Sequence, residues 1–300
     1  MKKMTHEPSF GSLAEPERMC QLLADHLPGF GRMEWLPVTG STNTDLGESL
    51  RTTTASTLQT LPWLRGAHLQ TAGKGRAGRG WANQPGQCLM FSVALDSPVP
   101  IAALMGLPPA LGIAAVLALR KLLQTEVRHR LTLKWPNDLL WDQSKLAGIL
   151  VETVKHPSKL HPTIVAGIGL NLAGASQLAV EMGRPIADWS QVAQAGASND
   201  DHPADAVMLV ASIAHAWSNA LKRMAQNGFG SFLPDFQSMD ALAGQPVAVT
   251  DQGVVLMEGV ASGCDESGRL LLETASGMRP VMVGDVSIRP VSGGFGNAGR

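Results

Sequence analysis

Three short apolar runs in the middle of the chain constrain its fold more than any other feature. They are LTLKW at 131–135, KLAGILVE at 145–152 and TIVAGIGLNL at 163–172, and turn-forming residues separate them. Runs of this length, rich in aliphatic side chains, are typical of buried β-strands. The sequence therefore predicts a central sheet that contains these three strands.

The last of these runs has two different faces. Alternate side chains of a strand point to opposite sides of a sheet, and one side here carries only aliphatic residues: Ile164, Ala166, Ile168, Leu170 and Leu172. The other side carries Gly167 and Gly169 and ends in Asn171. A face without side chains lets either a ligand or a packed helix lie close to the backbone. The sequence leaves both explanations open.

Two helices are predicted to flank this sheet. Between Pro16 and His26 the apolar residues recur at helical spacing, and Pro28 and Gly29 end the run. A longer helix is predicted from about Ala204 to Gln226, and its apolar residues form one stripe: Val207, Val210, Ala214, Trp217, Leu221 and Met224. We interpret that stripe as part of the hydrophobic core.

One segment has the length and composition of a membrane span, because Ile101 to Leu119 carries no charge. Two prolines interrupt it, and Arg120 and Lys121 follow it directly. Proline is tolerated in the first turn of a helix. We therefore predict a buried core helix from about Pro109 to Leu123 and no membrane span.

The character of the sequence changes after Pro234. Five short apolar segments follow at close spacing, with glycine-containing turns between them: QPVAVT, VVLMEGVASGC, RLLLETASG, RPVMVG and VSIRPV. Such a series predicts a small antiparallel barrel. We place a domain boundary near residue 240, with a larger unit at 1–240, a small one at 241–292 and a flexible tail at 293–300.

Charge and cysteine content narrow the class of protein. A formal net charge of -1 provides no global field that would attract nucleic acid or an anionic membrane. The three cysteines are odd in number and far apart, which fits a reducing compartment better than a disulfide framework or a zinc site. The N-terminal lysines have no apolar stretch behind them, so no secretory signal is predicted. We expect a cytoplasmic protein.

The segment GKGRAGRGW at 73–81 combines four glycines with three cations, Lys74, Arg76 and Arg79. Glycine lets the backbone approach a ligand, and the cations can neutralise a phosphate or carboxylate. The segment contains G-x-G-x-x-G, but it does not open a helix within a βαβ unit, as a dinucleotide-binding fingerprint should. By itself the segment is also compatible with a solvated glycine loop.

Four further motifs accompany this loop. They are Ser41-Thr42-Asn43, KWPND at 134–138, KLAGIL at 145–150 and GIGLNL at 167–172. In this order, with the loop between the first and the second, they closely resemble the motifs of biotin protein ligases. The resemblance covers about residues 34–290, including the C-terminal strands.

The resemblance assigns one group of residues to biotin. The family's Ser-Thr-Asn turn binds the ureido ring, which implies this role for Ser41, Thr42 and Asn43. A ring urea needs fixed donors and acceptors, which hydroxyl and amide groups supply. The same turn could cap a helix that starts near Thr44, and the two roles are compatible. Gln70 matches a glutamine that contacts biotin.

The glycine-cation loop matches a lid that becomes ordered over biotin and adenylate, which adds Lys74, Gly75 and Arg76 to the biotin site. Arg76 is assigned to the phosphate, because a guanidinium can bind two oxygens. Lys74 stands where arginine is commonest, which retains the charge but loses the planar fork. Ala77 replaces a frequent cation.

The resemblance also implies the adenylate side of the site. Lys145 lies near the biotin carboxylate, where a cation orients that nucleophile and offsets developing charge. Lys145 and Arg76 are therefore the candidate catalytic residues, and Asp138 is expected to orient a lysine or asparagine. The residues assigned to ATP or adenylate are Arg79, Trp81, Lys134, Asn137 and Asn171.

The implied fold is α+β: a mixed sheet with flanking helices, as in the catalytic domain of class II synthetases, plus a small C-terminal SH3-like β-barrel. The implied reaction activates biotin with ATP and transfers it to a lysine of a biotin carboxyl carrier protein, the carrier domain of a biotin-dependent carboxylase. Mg²⁺ would arrive with ATP, and no protein metal site is predicted. A homodimer is compatible with the family.

Three other functions share part of this pattern. Lipoate ligation shares the fold and the activation chemistry, but lipoate has no ureido group for the Ser-Thr-Asn turn. A biotin-sensing DNA-binding repressor would add an N-terminal helix-turn-helix, whereas a single helix is predicted before residue 34, so no DNA binding is expected. A dinucleotide-dependent dehydrogenase would require a strand-loop-helix unit around Gly73.

Overall fold

The computed structural model describes residues 13–157, 161–196, 205–251, 254–282 and 287–290. The first twelve residues, the polar segment around residue 200 and the predicted tail at 293–300 lie outside the described residues. The described part contains a seven-stranded mixed sheet, helices on both of its faces and a five-stranded antiparallel sheet formed by the C-terminal strands.

The large sheet has the strand order β1-β2-β3-β7-β6-β5-β4. Its strands are β1 (Arg32–Thr39), β2 (Trp63–Gln70), β3 (Cys88–Leu95), β4 (Leu131–Lys134), β5 (Asp138–Trp141), β6 (Ser144–Val154) and β7 (Thr163–Asn171). Strands β1 and β2 are parallel, and all other neighbours are antiparallel. The three strands predicted from the central apolar runs are confirmed as β4, β6 and β7.

Eight α-helices accompany the sheets in the described residues. They are α1 (Pro16–His26), α2 (Thr42–Thr52), α3 (Ala55–Leu58), α4 (Leu107–Arg120), α5 (Ala175–Met182), α6 (Trp189–Gly196), α7 (Ala206–Asn227) and α8 (Leu233–Gln237). The predicted helices are confirmed as α1, α4 and α7, with small shifts at their ends. Helices α5 and α6 occupy a polar region where the sequence predicted none.

Helices α4 and α7 pack together and cover the aliphatic face of the sheet. Trp217 of α7 is fully buried, and its indole N–H donates to the carbonyl oxygen of Leu111 at 3.0 Å. The span Ala103–Arg120 is long and apolar enough to cross a membrane, but 67% of it is buried inside the protein. This is the position of a core helix, as predicted from the sequence.

Helix α2 packs on the opposite face of the sheet. Its Leu46 and Leu50 belong to a second apolar cluster, which also contains Val165 of β7. The first turn of α2 is therefore held directly over the sheet, next to Gly167. The remainder of this face is occupied by side chains of the functional site described below.

Helices α5 and α6 are held by a buried aspartate that a sequence pattern does not reveal. Asp188 is 3% exposed, and its carboxylate accepts from the backbone N–H of Ala175, at 2.8 Å, and of Gln191, at 3.1 Å. One side chain thus satisfies amide groups at the starts of both helices. Because Asp188 and Ala175 are far apart in sequence, the capping pattern of α5 is not local.

The C-terminal strands are β8 (Pro246–Asp251), β9 (Val254–Cys264), β10 (Leu270–Thr274), β11 (Gly277–Val281) and β12 (Ser287–Pro290), in the order β11-β10-β9-β8-β12. The predicted short antiparallel strands are thus confirmed. The Leu133 N–H donates to Met239 O at 2.8 Å, in the segment before β8, and the indole of Trp135 donates to Gly268 O at 2.9 Å, in the turn between β9 and β10. The division into units at 1–240 and 241–292 stays a prediction.

Candidate active site

A cavity of about 640 Å³ opens on the α2 face of the large sheet. It brings together every residue that the sequence assigned to biotin and all but one of those assigned to the adenylate. The predicted residues that line it are Ser41, Thr42, Asn43, Gln70, Lys74, Gly75, Arg76, Arg79, Trp81, Lys134, Asn137 and Lys145. The five separated motifs therefore meet in one place.

Asn171 is the exception, and its assignment to the nucleotide stays a prediction. The residue is 2% exposed, and its amide donates to the carbonyl oxygens of Ala187 at 3.0 Å and Lys145 at 3.3 Å. Gly169 lines the cavity, whereas Asn171, the next residue on that side of β7, is in contact with Ala187. Asn171 therefore holds this segment against Lys145.

The thiol of Cys88 points at Asn171 Oδ1 from 3.6 Å away. Burial raises the pKa of Cys88 to about 12, so the thiol stays protonated at neutral pH. A neutral buried thiol is a poor nucleophile. The cysteine closest to the cavity is therefore a core residue.

The first turn of α2 forms one end of the cavity. Ser41 caps the helix, with the Thr44 N–H donating to Ser41 Oγ at 3.5 Å, as the cap prediction required. The backbone N–H of Thr42 donates to Gln70 Oε1 at 2.7 Å, and the Thr42 hydroxyl contacts the same oxygen at 3.2 Å. Gln70 thereby fixes the turn against the end of β2.

Two residues that the sequence did not single out complete this end. The Ser92 hydroxyl donates to Asn43 Oδ1 at 2.6 Å and lies 2.7 Å from the Thr42 hydroxyl. The amide nitrogen of Asn43 donates to Glu152 Oε2 at 2.8 Å. We call the group Thr42, Asn43, Gln70 and Ser92 the neutral end, and the exposed Glu152 holds the Asn43 amide from outside the cavity. The signal for Ser92 was its hydroxyl in the middle of CLMFSVAL, a strand that is buried throughout.

The glycine face of β7 makes room for these side chains. A Cβ at Gly167 would overlap the Asn43 side chain, and one at Gly169 would overlap the indole of Trp81. Gly148 of β6 lies under the same indole, 3.1 Å away at the Cβ position. The sequence left open a ligand or a helix close to these glycines. The structure places the first turn of α2 over Gly167 and Trp81 over Gly169.

The glycine-cation loop folds back on itself as a hairpin. The Gly75 N–H donates to Arg79 O at 2.7 Å, and the Trp81 N–H donates to Gly73 O at 2.9 Å. A short 3-10 turn closes the hairpin, with Ala77 at φ 55° and Gly78 at φ 67°. A left-handed alanine costs about 1–2 kcal/mol. The hairpin carries Arg76, Arg79 and Trp81 to the cavity.

Lys145 lies in the wall opposite the hairpin. Its Nζ pairs with Asp138 Oδ1 at 2.6 Å and stands 5.5 Å from the centre of the Trp81 ring. Burial lowers the pKa of Lys145, as do the nearby cations Arg184 and Arg79, while Asp138 opposes the shift. The expected orienting role of Asp138 thus has a geometric basis in this ion pair.

Asn137 connects the hairpin to β6. Its amide nitrogen donates to Ile149 O at 2.6 Å, and its Oδ1 accepts from Arg76 Nη1 at 3.2 Å. The preceding Trp135–Pro136 peptide bond is cis. Asn137 therefore holds the Arg76 guanidinium over the cavity.

Cations outnumber carboxylates strongly in the cavity wall. Among the described lining residues the one carboxylate is Asp138, and the cations are Lys74, Arg76, Arg79, Lys134, Lys145 and Arg184. We call these seven residues the cationic end. Such an excess favours a ligand with several negative charges. The sequence missed Arg184, which follows α5 in the region where no helix was predicted.

The two ends lie at different positions along β6. Asn43 contacts Leu150 O at 3.4 Å, whereas the backbone N–H of Lys145 donates to Pro185 O at 3.2 Å. These backbone points are five residues apart, roughly 16 Å, but the Lys145 ammonium reaches back to 3.2 Å from the Cβ position of Gly148, which is two residues from Leu150. One elongated ligand can therefore reach both ends. Within the described residues, no group of three or more His, Cys, Asp or Glu side chains is arranged to hold a metal ion.

Comparisons with known proteins agree with this arrangement. Residues 35–171 match the biotin/lipoate A/B protein ligase family, and residues 243–289 match the biotin protein ligase C-terminal domain. The chain is 30% identical over 272 residues to the biotin–acetyl-CoA-carboxylase ligase of Mycobacterium tuberculosis, covering 88% of this chain and 93% of that protein.

Two further relatives extend the comparison. The chain is 34% identical over 226 residues to the bifunctional ligase/repressor BirA of Escherichia coli; the match covers 74% of this chain and 65% of BirA, just under two thirds of its length. The biotin protein ligase of Aquifex aeolicus, solved in complex with biotin and ATP, has a TM-score of 0.68 and 25% identity, covering 87% of this chain and all of that one. On this evidence, the chain belongs to the biotin protein ligase family.

Proposed function

We propose that this protein activates biotin with ATP to give biotinyl-5'-AMP and transfers the biotinyl group to a lysine of a biotin carboxyl carrier domain. The observation that carries the proposal is the single cavity, which joins a neutral hydrogen-bonding end to a cationic end. A ring urea with an acyl chain that ends in a carboxylate matches this order of groups. The relatives named above as ligases and the biotin and ATP complex support the same chemistry.

In the first step the biotin carboxylate attacks the α-phosphorus of ATP. A carboxylate oxygen forms the new P–O bond, the bond to the β-phosphate oxygen breaks, and pyrophosphate leaves. Lys145 orients the carboxylate and offsets negative charge as the bond forms. Arg76, held by Asn137, binds oxygens of the α-phosphate.

In the second step a carrier lysine, as the free amine, attacks the carbonyl carbon of the mixed anhydride. The new C–N bond forms, AMP leaves with the electrons of the C–O bond, and the amine loses its proton. Neither step requires a nucleophile from the protein. The hairpin at 73–81 is proposed to close over the anhydride and exclude water, which limits hydrolysis.

Magnesium is expected to enter with ATP and to neutralise its phosphates. The one lining carboxylate, Asp138, is paired with Lys145, so the described residues offer a divalent ion little besides the triphosphate itself. The proposed partner is the carrier domain of a biotin-dependent carboxylase. The three cysteines are free thiols, which supports a cytoplasmic location.

One assay tests the proposal. Purified protein is incubated with ATP, magnesium and either biotin or lipoate, and the products are weighed by mass spectrometry. We expect biotinyl-5'-AMP and pyrophosphate with biotin, and little or no adenylate with lipoate. Lipoyl-5'-AMP alone would identify the protein as a lipoate ligase, and no acyl-adenylate from either acid would overturn the proposal.

A further inference from the structure

We infer that Glu152, from outside the cavity, sets the direction of the hydrogen bonds at the neutral end and so makes the Thr42 hydroxyl an acceptor for a ring N–H of biotin. This inference rests on the proposed function and adds a positioning residue to it. Glu152 does not line the cavity, and its side chain is exposed. Its effect on biotin therefore passes through the side chains that lie between them.

Two acceptors fix the orientation of the Asn43 amide. Its Nδ2 donates to Glu152 Oε2 at 2.8 Å and lies 3.4 Å from Leu150 O. A carboxylate and a backbone carbonyl group offer no proton, so the amide nitrogen must face them and the amide oxygen must face the other way. The shorter bond is the one to the charged acceptor, and hydrogen bonds to ionised groups are the stronger ones. Glu152 therefore contributes most to this orientation.

The orientation of the amide determines where two hydroxyl protons lie. Asn43 Oδ1 can only accept, so Ser92 donates its one hydroxyl proton to it at 2.6 Å. Ser92 Oγ is then the acceptor for the Thr42 hydroxyl, 2.7 Å away. The contact of that hydroxyl with Gln70 Oε1 is longer, at 3.2 Å, and this oxygen already accepts from the Thr42 N–H. The Thr42 proton thus points at Ser92, and the lone pairs of Thr42 Oγ1 are left for the cavity.

A hydroxyl that has donated its proton favours ligands that bring a donor. The ureido ring of biotin carries two N–H groups, whereas the dithiolane ring of lipoate carries none. If the bonds ran in the opposite direction, the Thr42 proton would face the ring N–H, and neither donor would have an acceptor there. We therefore expect Glu152 to contribute both to the affinity for biotin and to selection against rings without an N–H.

Strand β6 places Glu152 where a charge costs little. Positions 148, 150 and 152 lie on one face of the strand, so Glu152 follows Leu150 beside the Asn43 amide. The pairing of β5 with β6 ends at Gly148, and the carboxylate beyond it is exposed. Glu152 therefore keeps much of its hydration while it holds a side chain that is buried.

The first test measures biotin binding by calorimetry, without ATP, in the wild type, Glu152→Ala and Glu152→Gln. We expect Glu152→Ala to weaken biotin binding roughly 5- to 20-fold, because the Asn43 amide is then free to turn. Glu152→Gln keeps an acceptor oxygen and should retain most of the affinity. KM for ATP and Tm should match the wild type in both variants. Glu258→Ala, which changes an exposed glutamate of β9 outside the cavity, is the matched control.

A double substitution tests whether the effect of Glu152 passes through Ser92. Without the Ser92 hydroxyl, the orientation of the Asn43 amide is no longer passed on to Thr42. Glu152→Ala should then weaken biotin binding by less than about twofold in a protein that already carries Ser92→Ala. A residue that merely stabilised the strand would have the same effect in both backgrounds.

Three outcomes would overturn the inference while the wild type still forms biotinyl-5'-AMP. They are a Glu152→Ala variant that binds biotin like the control, an equal loss in Glu152→Ala and Glu152→Gln, and a loss that adds in full to that of Ser92→Ala. A wild-type protein that forms no acyl-adenylate from biotin would instead remove the proposed function and this inference together.

Discussion

The two ends of the cavity are built in opposite ways. At the neutral end Thr42, Asn43 and Ser92 are at most 5% exposed and are linked to one another by hydrogen bonds. At the cationic end Lys74, Arg79 and Arg184 are exposed. The neutral end is held together by its own hydrogen bonds, whereas much of the cationic end is in contact with water.

The cost of burial explains this difference. Neutral donors and acceptors can be buried at little cost when they satisfy one another, as hydroxyl and amide groups do here. Several like charges cannot be buried together without an anion, because each loses its hydration and repels the others. The lesson is that the ring site can be rigid before binding, while the phosphate site becomes complete only when the phosphates arrive.

The largest effect is expected from Lys145, the half-buried lysine of the cationic end. Lys145→Ala should reduce the rate of adenylation about 100- to 1000-fold, because it removes the cation beside the reacting carboxylate. Pyrophosphate release with saturating biotin and ATP measures this rate. Lys222→Ala, an exposed lysine of α7, is the matched control. A Lys145→Ala variant with the control's rate would show that Lys145 has only a structural role.

A substitution at the neutral end should weaken the binding of biotin and leave that of ATP unchanged. Ser92→Ala leaves Asn43 Oδ1 without its hydroxyl donor in a buried position, which costs about 1–3 kcal/mol. We expect biotin to bind roughly tenfold more weakly and Tm to fall, while KM for ATP is unchanged. Calorimetry and thermal melts measure these values, with the exposed Ser276→Ala as control. An equal rise in KM for ATP would mean that the two ends do not bind their ligands independently.

The pH dependence of adenylation should reflect Lys145. Its pKa is lowered below the usual 10.5, so it loses its proton at a lower pH than an ordinary lysine as the solution becomes alkaline. Because the protonated form orients the carboxylate, the rate of adenylation should decline several-fold as the pH rises through the pKa of Lys145. Lys145→Arg should remove the decline from whatever activity it retains, since guanidinium keeps its charge. The same alkaline decline in the wild type and in Lys145→Arg would show that another group titrates.

The smallest effect is expected from salt. Raising the ionic strength from about 0.1 to 1 M shortens the Debye length from about 10 to 3 Å and screens exposed cations most. KM for ATP should rise a few-fold, and the Kd of biotin should change much less because its ring contacts are neutral. Equal sensitivity of the two constants would contradict the division of the cavity into two ends.

The same contrast explains what the sequence could predict. Periodicity gave strands β4, β6 and β7 and helices α1, α4 and α7, because a one-sided apolar pattern is a local property. The resemblance to family motifs identified residues that the structure brings together in the cavity. Arg184 was not predicted as a cavity residue, because its position depends on α5. That helix is short, and its first amide is held by Asp188, which is distant in sequence.

Two polar residues show the limit of motif matching. Asn171 belongs to a motif but lies under the segment 183–187, so its amide serves the protein backbone. Ser92 belongs to no motif, yet it connects Thr42 with Asn43. Pairing of β3 with β7 places Ser92 beside Gly167, below the first turn of α2, and such tertiary pairing is not visible in a motif.

The most direct test is an experimental structure of the protein with biotinyl-5'-AMP bound. We expect the ureido ring to lie within hydrogen-bond distance of the turn at 41–43 and the phosphate to lie between Arg76 and Lys145. We also expect that Ser92, Asn43 and Glu152 stay in their present arrangement, whereas the hairpin at 73–81 moves closer to the ligand. A ligand bound with its phosphate at the 41–43 turn, or outside this cavity, would contradict the account.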